Sequence, residues 1–324
     1  MKAMVCEAFG GPEVLALREV PDPPPPGSGE IQLRLRARGV QYVDVLMLAG
    51  KYQFRPDPPF IPGSEAAGEV LAVGPGVTRF RPGDQVMSRH RLGAFAERAN
   101  APEDACDPVP EGLSLEQAGV FRAAHATAYH ALLQRGRLAA GETVLVHGAA
   151  GGIGIAAIQV AKLFGATVIA TASTEAKRTA CLEEGADHAI DTRSGFLDQV
   201  KALTGGRGVD IVYDPIGAGV TEESLRCLAW GGRLLILGFL GGGPATIRSN
   251  YLLIKGIDAV GVRIGGLAEA NPALAAANAQ ALAGLAAAGK LRPRISHRFP
   301  LDQAAAALQA VIDRAVIGKA VLVG

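Results

Sequence analysis

The sequence predicts an α/β protein in which a doubly wound parallel sheet is joined to a separate β-rich domain. Three observations carry this. From residue 143 to 262, short apolar runs alternate with helix-like stretches, as strands do with the helices that cover them. Residues 1–120 instead hold short strand-like runs separated by Pro- and Gly-rich turns. Between the two textures sits a glycine-rich turn, His147–Gly154, flanked by an apolar run and a helical stripe.

That turn organises the chain. Thr143–Val146 reads as a buried strand, and Ile153, Ala157, Val160, Ala161 and Phe164 recur at helical spacing. Gly165 stands where a helix C-cap is expected, and Ala166–Thr171 reads as the next strand. The turn contains Ala149-x-Gly151-x-x-Gly154, the dinucleotide fingerprint with Ala at its first position. Gly151 has no Cβ, so a pyrophosphate can approach the backbone there, and Gly154 lets the helix pack on the strand. The helix N-terminus offers unpaired N–H groups and partial positive charge. Ala150, Gly151, Gly152, Ile153 and Gly154 are therefore the candidate pyrophosphate-binding residues.

Composition excludes several classes. The 324 residues suffice for two ordinary domains, and 49 % hydrophobic residues allow a large core. A formal net charge of +1 without a long basic run argues against nucleic acid as a partner. The start, MKAMVCEAFGG, lacks the apolar core of a signal peptide, and no uninterrupted apolar stretch reaches the roughly 18 residues of a membrane span. Cys6, Cys106, Cys181 and Cys227 are scattered and form no C-x-x-C pair. The expectation is a soluble cytoplasmic enzyme.

In chain order, Met4–Ala8, Leu15–Val20, Ile31–Ala37, Gly68–Val73 and Gln85–Met87 read as strands. Gln41–Leu48 reads as a short helix, Gly50–Pro59 as a loop and Leu115–Leu133 as a bridging helix. Beyond the fingerprint, helices are expected at Glu175–Glu184, Phe196–Leu203 and Thr221–Leu228, with strands at His188–Ile190, Val209–Tyr213, Arg233–Leu237 and Ile257–Val262. The tail from about Leu267 should add an Ala-rich helix, two strands and a helix that return to the first domain. The expected division is 1–122 with 266–324, and 123–265.

The second strand of a site preferring NAD ends in Asp or Glu, about 20 residues past the fingerprint. Here Ile169–Thr174 ends that strand without an acid, and Lys177 and Arg178 follow within one turn. Ser173, Thr174 and Lys177 would hold a 2′-phosphate that a carboxylate would repel, so NADPH is the expected cofactor. Thr174 or Ser173 could also cap the following helix.

The order of β-rich domain, Rossmann unit and return segment resembles the medium-chain dehydrogenase/reductase superfamily over nearly the whole chain. The resemblance is specific at Gly63-Ser64-Glu65-Ala66-Ala67-Gly68, Arg81-Pro82-Gly83-Asp84-Gln85-Val86, Thr127-Ala128-Tyr129, Gly148–Gly154 and Gly318–Val323. It implies a GroES-like catalytic domain beside the Rossmann domain. Zinc enzymes of the superfamily have Gly-His-Glu where this chain has Gly63-Ser64-Glu65, and Cys where it has Gln41; the four-cysteine lobe is also absent. Loss of those soft ligands predicts no zinc. The chain resembles the zinc-free quinone oxidoreductase branch, the zeta-crystallin-like enzymes.

By that resemblance Gln41 replaces an Asn that lies near the nicotinamide and substrate, and Tyr52 in the following loop is a candidate hydroxyl at the pocket mouth. Tyr42 is a second candidate, and either tyrosine could instead be a packing aromatic. Thr127 matches a position beside the nicotinamide; its alternative is an ordinary helix hydroxyl. Gly238 and Phe239 match the backbone that meets the nicotinamide amide. Arg263 and Lys319 match basic groups near the cofactor. Thr192 stands where the family often has Tyr. The resemblance also implies a homodimer.

Arg89-His90-Arg91 could attract an anionic thioester, although such a run is more often a solvated loop. His125 and His130 lack an H-E-x-x-H partner, and Ser64 is in no Gly-x-Ser-x-Gly elbow. The leading expectation is NADPH-dependent, zinc-independent reduction of a quinone. An enone, alkenal or 2-enoyl-thioester reductase is the alternative, and an NADPH-binding structural or regulatory protein is the alternative of another class.

Overall fold

A computed structural model describes residues 1–193 and 195–324. The chain forms two compact units, Met1–Ala123 with Ala283–Gly324, and Ala124–Leu282.

In the first stretch, β1 (Lys2–Cys6) pairs antiparallel with β2 (Leu15–Glu19). The strands β3 (Glu30–Val40), β4 (Glu65–Val73), β5 (Gln85–Arg89), β6 (Arg98–Pro102) and β7 (Cys106–Pro108) follow. Along β3 the residues Ile31, Leu33 and Leu35 are buried, whereas the residues between them are half-buried. This period of two directs one face onto Val70, Phe80 and Val86. The helix Tyr42–Leu48 leaves the end of β3, with Gln41 as its N-cap residue.

The second unit holds β8 (Thr143–Val146), β9 (Thr167–Ala172), β10 (His188–Asp191), β11 (Val209–Asp214), β12 (Leu228–Ile236) and β13 (Asp258–Gly261). All pair in parallel, in the order β10-β9-β8-β11-β12-β13. The order reverses between β8 and β11, which is the doubly wound topology with its switch point there. The core joins Leu145, Ile169, Val212, Leu225 and Leu234 from four strands and one helix. Cutting any of these leucines to Ala removes roughly 2–5 kcal/mol of stability. The helix Gly152–Leu163 buries Ile155, Ala156, Ala157, Ile158, Val160 and Ala161, and its alanines permit close seating on the sheet.

The return segment supplies β14 (Ile295–Pro300) and β15 (Lys319–Val323) to the first unit's seven-stranded sheet. Its order is β14-β15-β3-β4-β5-β7, with β6 on β3. The helix Ala304–Ile312 packs Ala304, Ala307 and Leu308 with Val40, Leu48 and Leu322. This cluster fixes the start of the helix Tyr42–Leu48.

Several elements depart from expectation. The first unit resumes at 283 and not at 266. Asn278 and Gln134 exchange side-chain hydrogen bonds of 2.9 and 3.2 Å, which tie the first part of the helix Pro272–Ala287 to the second unit. The helix expected from Thr221 begins at Ala218, because Asp214 gathers the N–H groups of Ile216 and Gly217 and the hydroxyl of Thr221. The bridging helix Leu115–Tyr129 gives way at His130–Arg135 to a wider π turn. Among the described residues no helix is long and apolar enough to cross a membrane.

Candidate active site

In the second unit the fingerprint turn leaves the carboxyl end of β8. Gly148 takes φ 57°, the left-handed region that suits a residue without Cβ. The Gly151 N–H donates to Gly148 O at 2.9 Å, and the Ala149 N–H donates to Thr171 O at 3.2 Å. A Cβ on Gly151 would meet only Gly148 O, at 3.3 Å, whereas one on Gly154 would meet Gly148 O at 2.5 Å and Ala149 Cα at 2.6 Å. The two glycines thus serve different ends. Gly154 is required by packing, whereas Gly151 stands with little around it at the N-terminus of a twelve-residue helix.

The neighbouring turns lie at the carboxyl ends of the same strands. The Leu240 N–H donates to Pro215 O at 3.1 Å and the Gly241 N–H to Ile216 O at 2.7 Å, so Gly238–Gly241 lies along the turn after β11. Gly217, at φ 77°, leaves no room for a Cβ against Gly243 O, which would stand 2.7 Å away. Phe239 is 50 % exposed beside it. Brought together here, at the switch point, are Ala150–Gly154, Gly238 and Phe239. Arg263 is exposed just past β13, three strands along from β8. Thr127 is half-buried in the helix Leu115–Tyr129.

At the end of β9, Ser173 and Thr174 are exposed. Thr174 is the N-cap residue of the helix Glu175–Glu183, its hydroxyl accepting the Lys177 N–H at 3.4 Å. Lys177 lies one turn into that helix. Arg178 pairs with Asp191 at 3.1 Å, and Arg193 grips the same carboxylate at 2.6 Å. The hydrogen bonds and charge of Arg193 hold the Asp191 carboxyl well below its ordinary range. The acid at the end of β10 is thus occupied by two guanidinium groups.

Below this edge, His147 links three elements. Its Nδ1 is 3.1 Å from Thr171 Oγ1, its Nε2 is 2.8 Å from Ser224 Oγ, and its ring lies 4.7 Å from that of Phe196. Burial pushes its pKa below the ordinary value, so the ring is neutral.

In the first unit, Gln41 and Ser64 meet across 23 residues of sequence: Gln41 Nε2 donates to Ser64 Oγ at 3.2 Å. The Gln41 N–H donates to Asp44 Oδ2 at 2.8 Å. Next to Ser64, Glu65 accepts from Lys319 Nζ at 2.9 Å and from the Ala123 N–H at 3.0 Å. Lys319 therefore stands in a buried ion pair within the β-rich unit. Asp44 is fully buried, and its Oδ1 has no hydrogen-bond partner among the described residues. Burial drives its carboxyl up to about 7.

Tyr52 is half-buried in the loop 50–59. That loop is fastened on two sides, with Arg55 over the ring of Phe9 at 4.5 Å and Arg91 over the ring of Phe54 at 3.9 Å. His90 turns inward, its Nε2 2.8 Å from Ser88 Oγ.

Sequence reasoning missed Asp44, His147 and Asp214. Asp214 had a signal in the Asp-Pro-Ile-Gly turn that ends β11. Asp44 had one in its place three residues after the N-cap, where an acid can reach back to the backbone. Among the described residues no group of three or more His, Cys, Asp or Glu side chains could hold a metal ion.

Comparison with known proteins agrees with this fold. The family described as alcohol dehydrogenase GroES-like domain matches residues 27–128, and that described as zinc-binding dehydrogenase matches residues 152–279. The quinone oxidoreductase of Sus scrofa is 35 % identical over 325 residues, covering 99 % of this chain and 97 % of the relative. The quinone oxidoreductase-like protein 2 homolog of Nematostella vectensis is 37 % identical over 288 residues, covering 88 % of this chain and 79 % of the relative. The solved structure of Escherichia coli quinone oxidoreductase complexed with NADPH has a TM-score of 0.93 at 30 % identity, covering all of both chains. The chain is an oxidoreductase that belongs to the quinone oxidoreductase branch of the medium-chain dehydrogenase/reductase superfamily.

Proposed function

We propose that this enzyme uses NADPH, without zinc, to reduce a quinone-type acceptor. The observation that carries the cofactor choice is the end of β9, where Ser173 and Thr174 are exposed, Lys177 follows one turn later and no acid ends the strand. Ala150–Gly154 would hold the pyrophosphate, and the edge formed by Gly238 and Phe239 would face the nicotinamide, with Thr127 and Arg263 as further cofactor contacts. A bound reduced nicotinamide supplies the hydride.

The protein's own part is to bind, orient and accommodate charge. Gln41 and Ser64 offer an amide and a hydroxyl, which suit a carbonyl oxygen as it becomes negative. They are poor ligands for zinc, which favours thiolate and imidazole. Tyr52 or water returns the proton. Lys319, tied to Glu65, supports this wall of the first unit. The exposed β13, with Trp230, Leu253 and Ile254 exposed in the same unit, supports a homodimer.

Steady-state oxidation of NADPH with 1,4-benzoquinone and 9,10-phenanthrenequinone in the presence of a chelator tests the reading. Turnover with either supports it, and none with both contradicts it. A second reading, reduction of an enone or 2-enoyl thioester, is favoured by the exposed Arg89 and by Arg91, which lies against the loop 50–59. Comparing kcat/KM for crotonyl-CoA, an alkenal and a quinone separates the two.

A further inference from the structure

We infer that Asp44 is a positioning residue for Gln41, and that the charge state of its carboxyl sets the pH dependence of reduction. The inference rests on the reading of Gln41 as a group that faces the acceptor.

The geometry is specific. Asp44 Oδ2 holds the Gln41 N–H at 2.8 Å, while the Gln41 side chain reaches Ser64 Oγ. One carboxyl oxygen therefore anchors the residue whose amide meets the acceptor. The other, Oδ1, is buried without a partner among the described residues. A carboxylate with an unsatisfied oxygen in an apolar setting prefers to bind a proton.

The groups around it do not cancel this preference. The N–H groups of Gln41 and Gly63 and the charge of Lys319 on β15 favour the ionised form, but Lys319 is bonded to Glu65 on β4, whose own charge repels it. On the same helix the other titratable side chain is Tyr42. The helix Ala304–Ile312, packed against it, carries no titratable residue. In the nearby turn Pro12–Val14, Glu13 is exposed and accepts the Gly11 N–H. Burial accordingly outweighs the attraction and places the titration close to neutrality, at about 7.

Hydride addition puts negative charge on the acceptor oxygen. A neutral Asp44 tolerates that charge next to Gln41, whereas an ionised Asp44 opposes it in a poorly solvated setting. The rate should therefore fall as pH rises through the Asp44 titration.

The test is kcat/KM for 1,4-benzoquinone from pH 5.5 to 8.5 at saturating NADPH, for the wild type, Asp44→Asn and Asp44→Ala. The wild type is expected to lose about tenfold across an inflection near neutrality, an increase of about 1.4 kcal/mol in barrier. Asp44→Asn keeps the shape and the acceptor for the Gln41 N–H, and should hold the low-pH rate throughout. Asp44→Ala frees Gln41 and should be about tenfold slower at every pH. Retention of the wild-type inflection in Asp44→Asn overturns the inference. Infrared difference spectra of the wild type against Asp44→Asn, across the same pH range, read the carboxyl without turnover. A protonated-acid band lost near neutrality supports the assignment, and its absence at pH 5.5 overturns it. If the band titrates but no quinone is reduced at any pH, the reading of the acceptor fails and the titration of Asp44 stands.

Discussion

Lys319 Nζ and Glu65 Oε1 stand 2.9 Å apart, with 9 % and 4 % of their side chains exposed. The pair joins β15, near the end of the chain, to β4. Removing one partner leaves an uncompensated buried charge, which typically costs about 3–5 kcal/mol. Lys319→Met should lose about that much stability in urea unfolding, and Lys319→Met with Glu65→Gln should recover more than half of it. A loss below 1 kcal/mol in the single variant contradicts a structural role for the pair.

The two fingerprint glycines should respond differently. Gly154→Ala drives a Cβ to 2.5 Å from Gly148 O and 2.6 Å from Ala149 Cα. Overpacking of this kind costs roughly 1–3 kcal/mol, and a lower melting temperature is expected even without cofactor. Gly151→Ala meets one atom, at 3.3 Å. It should melt like the wild type yet bind NADPH about tenfold more weakly, as fluorescence titration can read.

Stability should depend on pH through groups of opposite sign, His147 and His90 on one side and Asp44 on the other. His147 is depressed below its ordinary 6.5, so the unfolded chain binds a proton that the folded chain refuses, and stability falls as pH drops below that value. Asp44 is raised from 3.8 to about 7, so the folded chain binds the extra proton and stability falls as pH rises across that window. Asp44→Asn removes the second effect alone. Its stability relative to the wild type should grow from pH 4 to 7 and then level off. A difference independent of pH would contradict the raised carboxyl.

Arg91 over Phe54 is an exposed cation–π contact, worth about 0.5–1 kcal/mol. Arg91→Ala should loosen the loop that carries Tyr52. A two- to fivefold fall in kcat/KM for the acceptor is expected, with NADPH affinity unchanged. Equal losses for cofactor and acceptor would argue against a local effect of the loop.

Much of the fold was legible because its strands are buried on both faces. Thr143–Val146, Ala166–Thr171 and Val209–Tyr213 stand out as apolar runs, and all three lie within a residue of β8, β9 and β11. The elements that escaped have physical reasons. β6 buries only Ala99 and Ala101, and β7 ends in Pro108; neither offers branched or aromatic residues. The helix Ser249–Lys255 holds four consecutive apolar residues, Tyr251–Ile254, of which Tyr251 and Leu252 pack on the core while Leu253 and Ile254 are exposed, so no helical period shows. The candidate cofactor residues were visible through the glycines and the missing acid. The relation of Gln41 to Ser64 was not, because a contact across 23 residues leaves no local pattern. Asp44 reads locally as a solvated helix acid, and only its burial gives it a role.

The preference for the phosphorylated cofactor is the central claim, and paired binding titrations test it most directly. Dissociation constants for NADPH and NADH should be measured by fluorescence for the wild type, Lys177→Glu and Ser173→Asp. The wild type should bind NADPH at least tenfold more tightly than NADH. Both variants should lose most of that preference through weaker NADPH binding. Equal affinities in the wild type, or a preference untouched by both substitutions, would contradict a 2′-phosphate site at the end of β9.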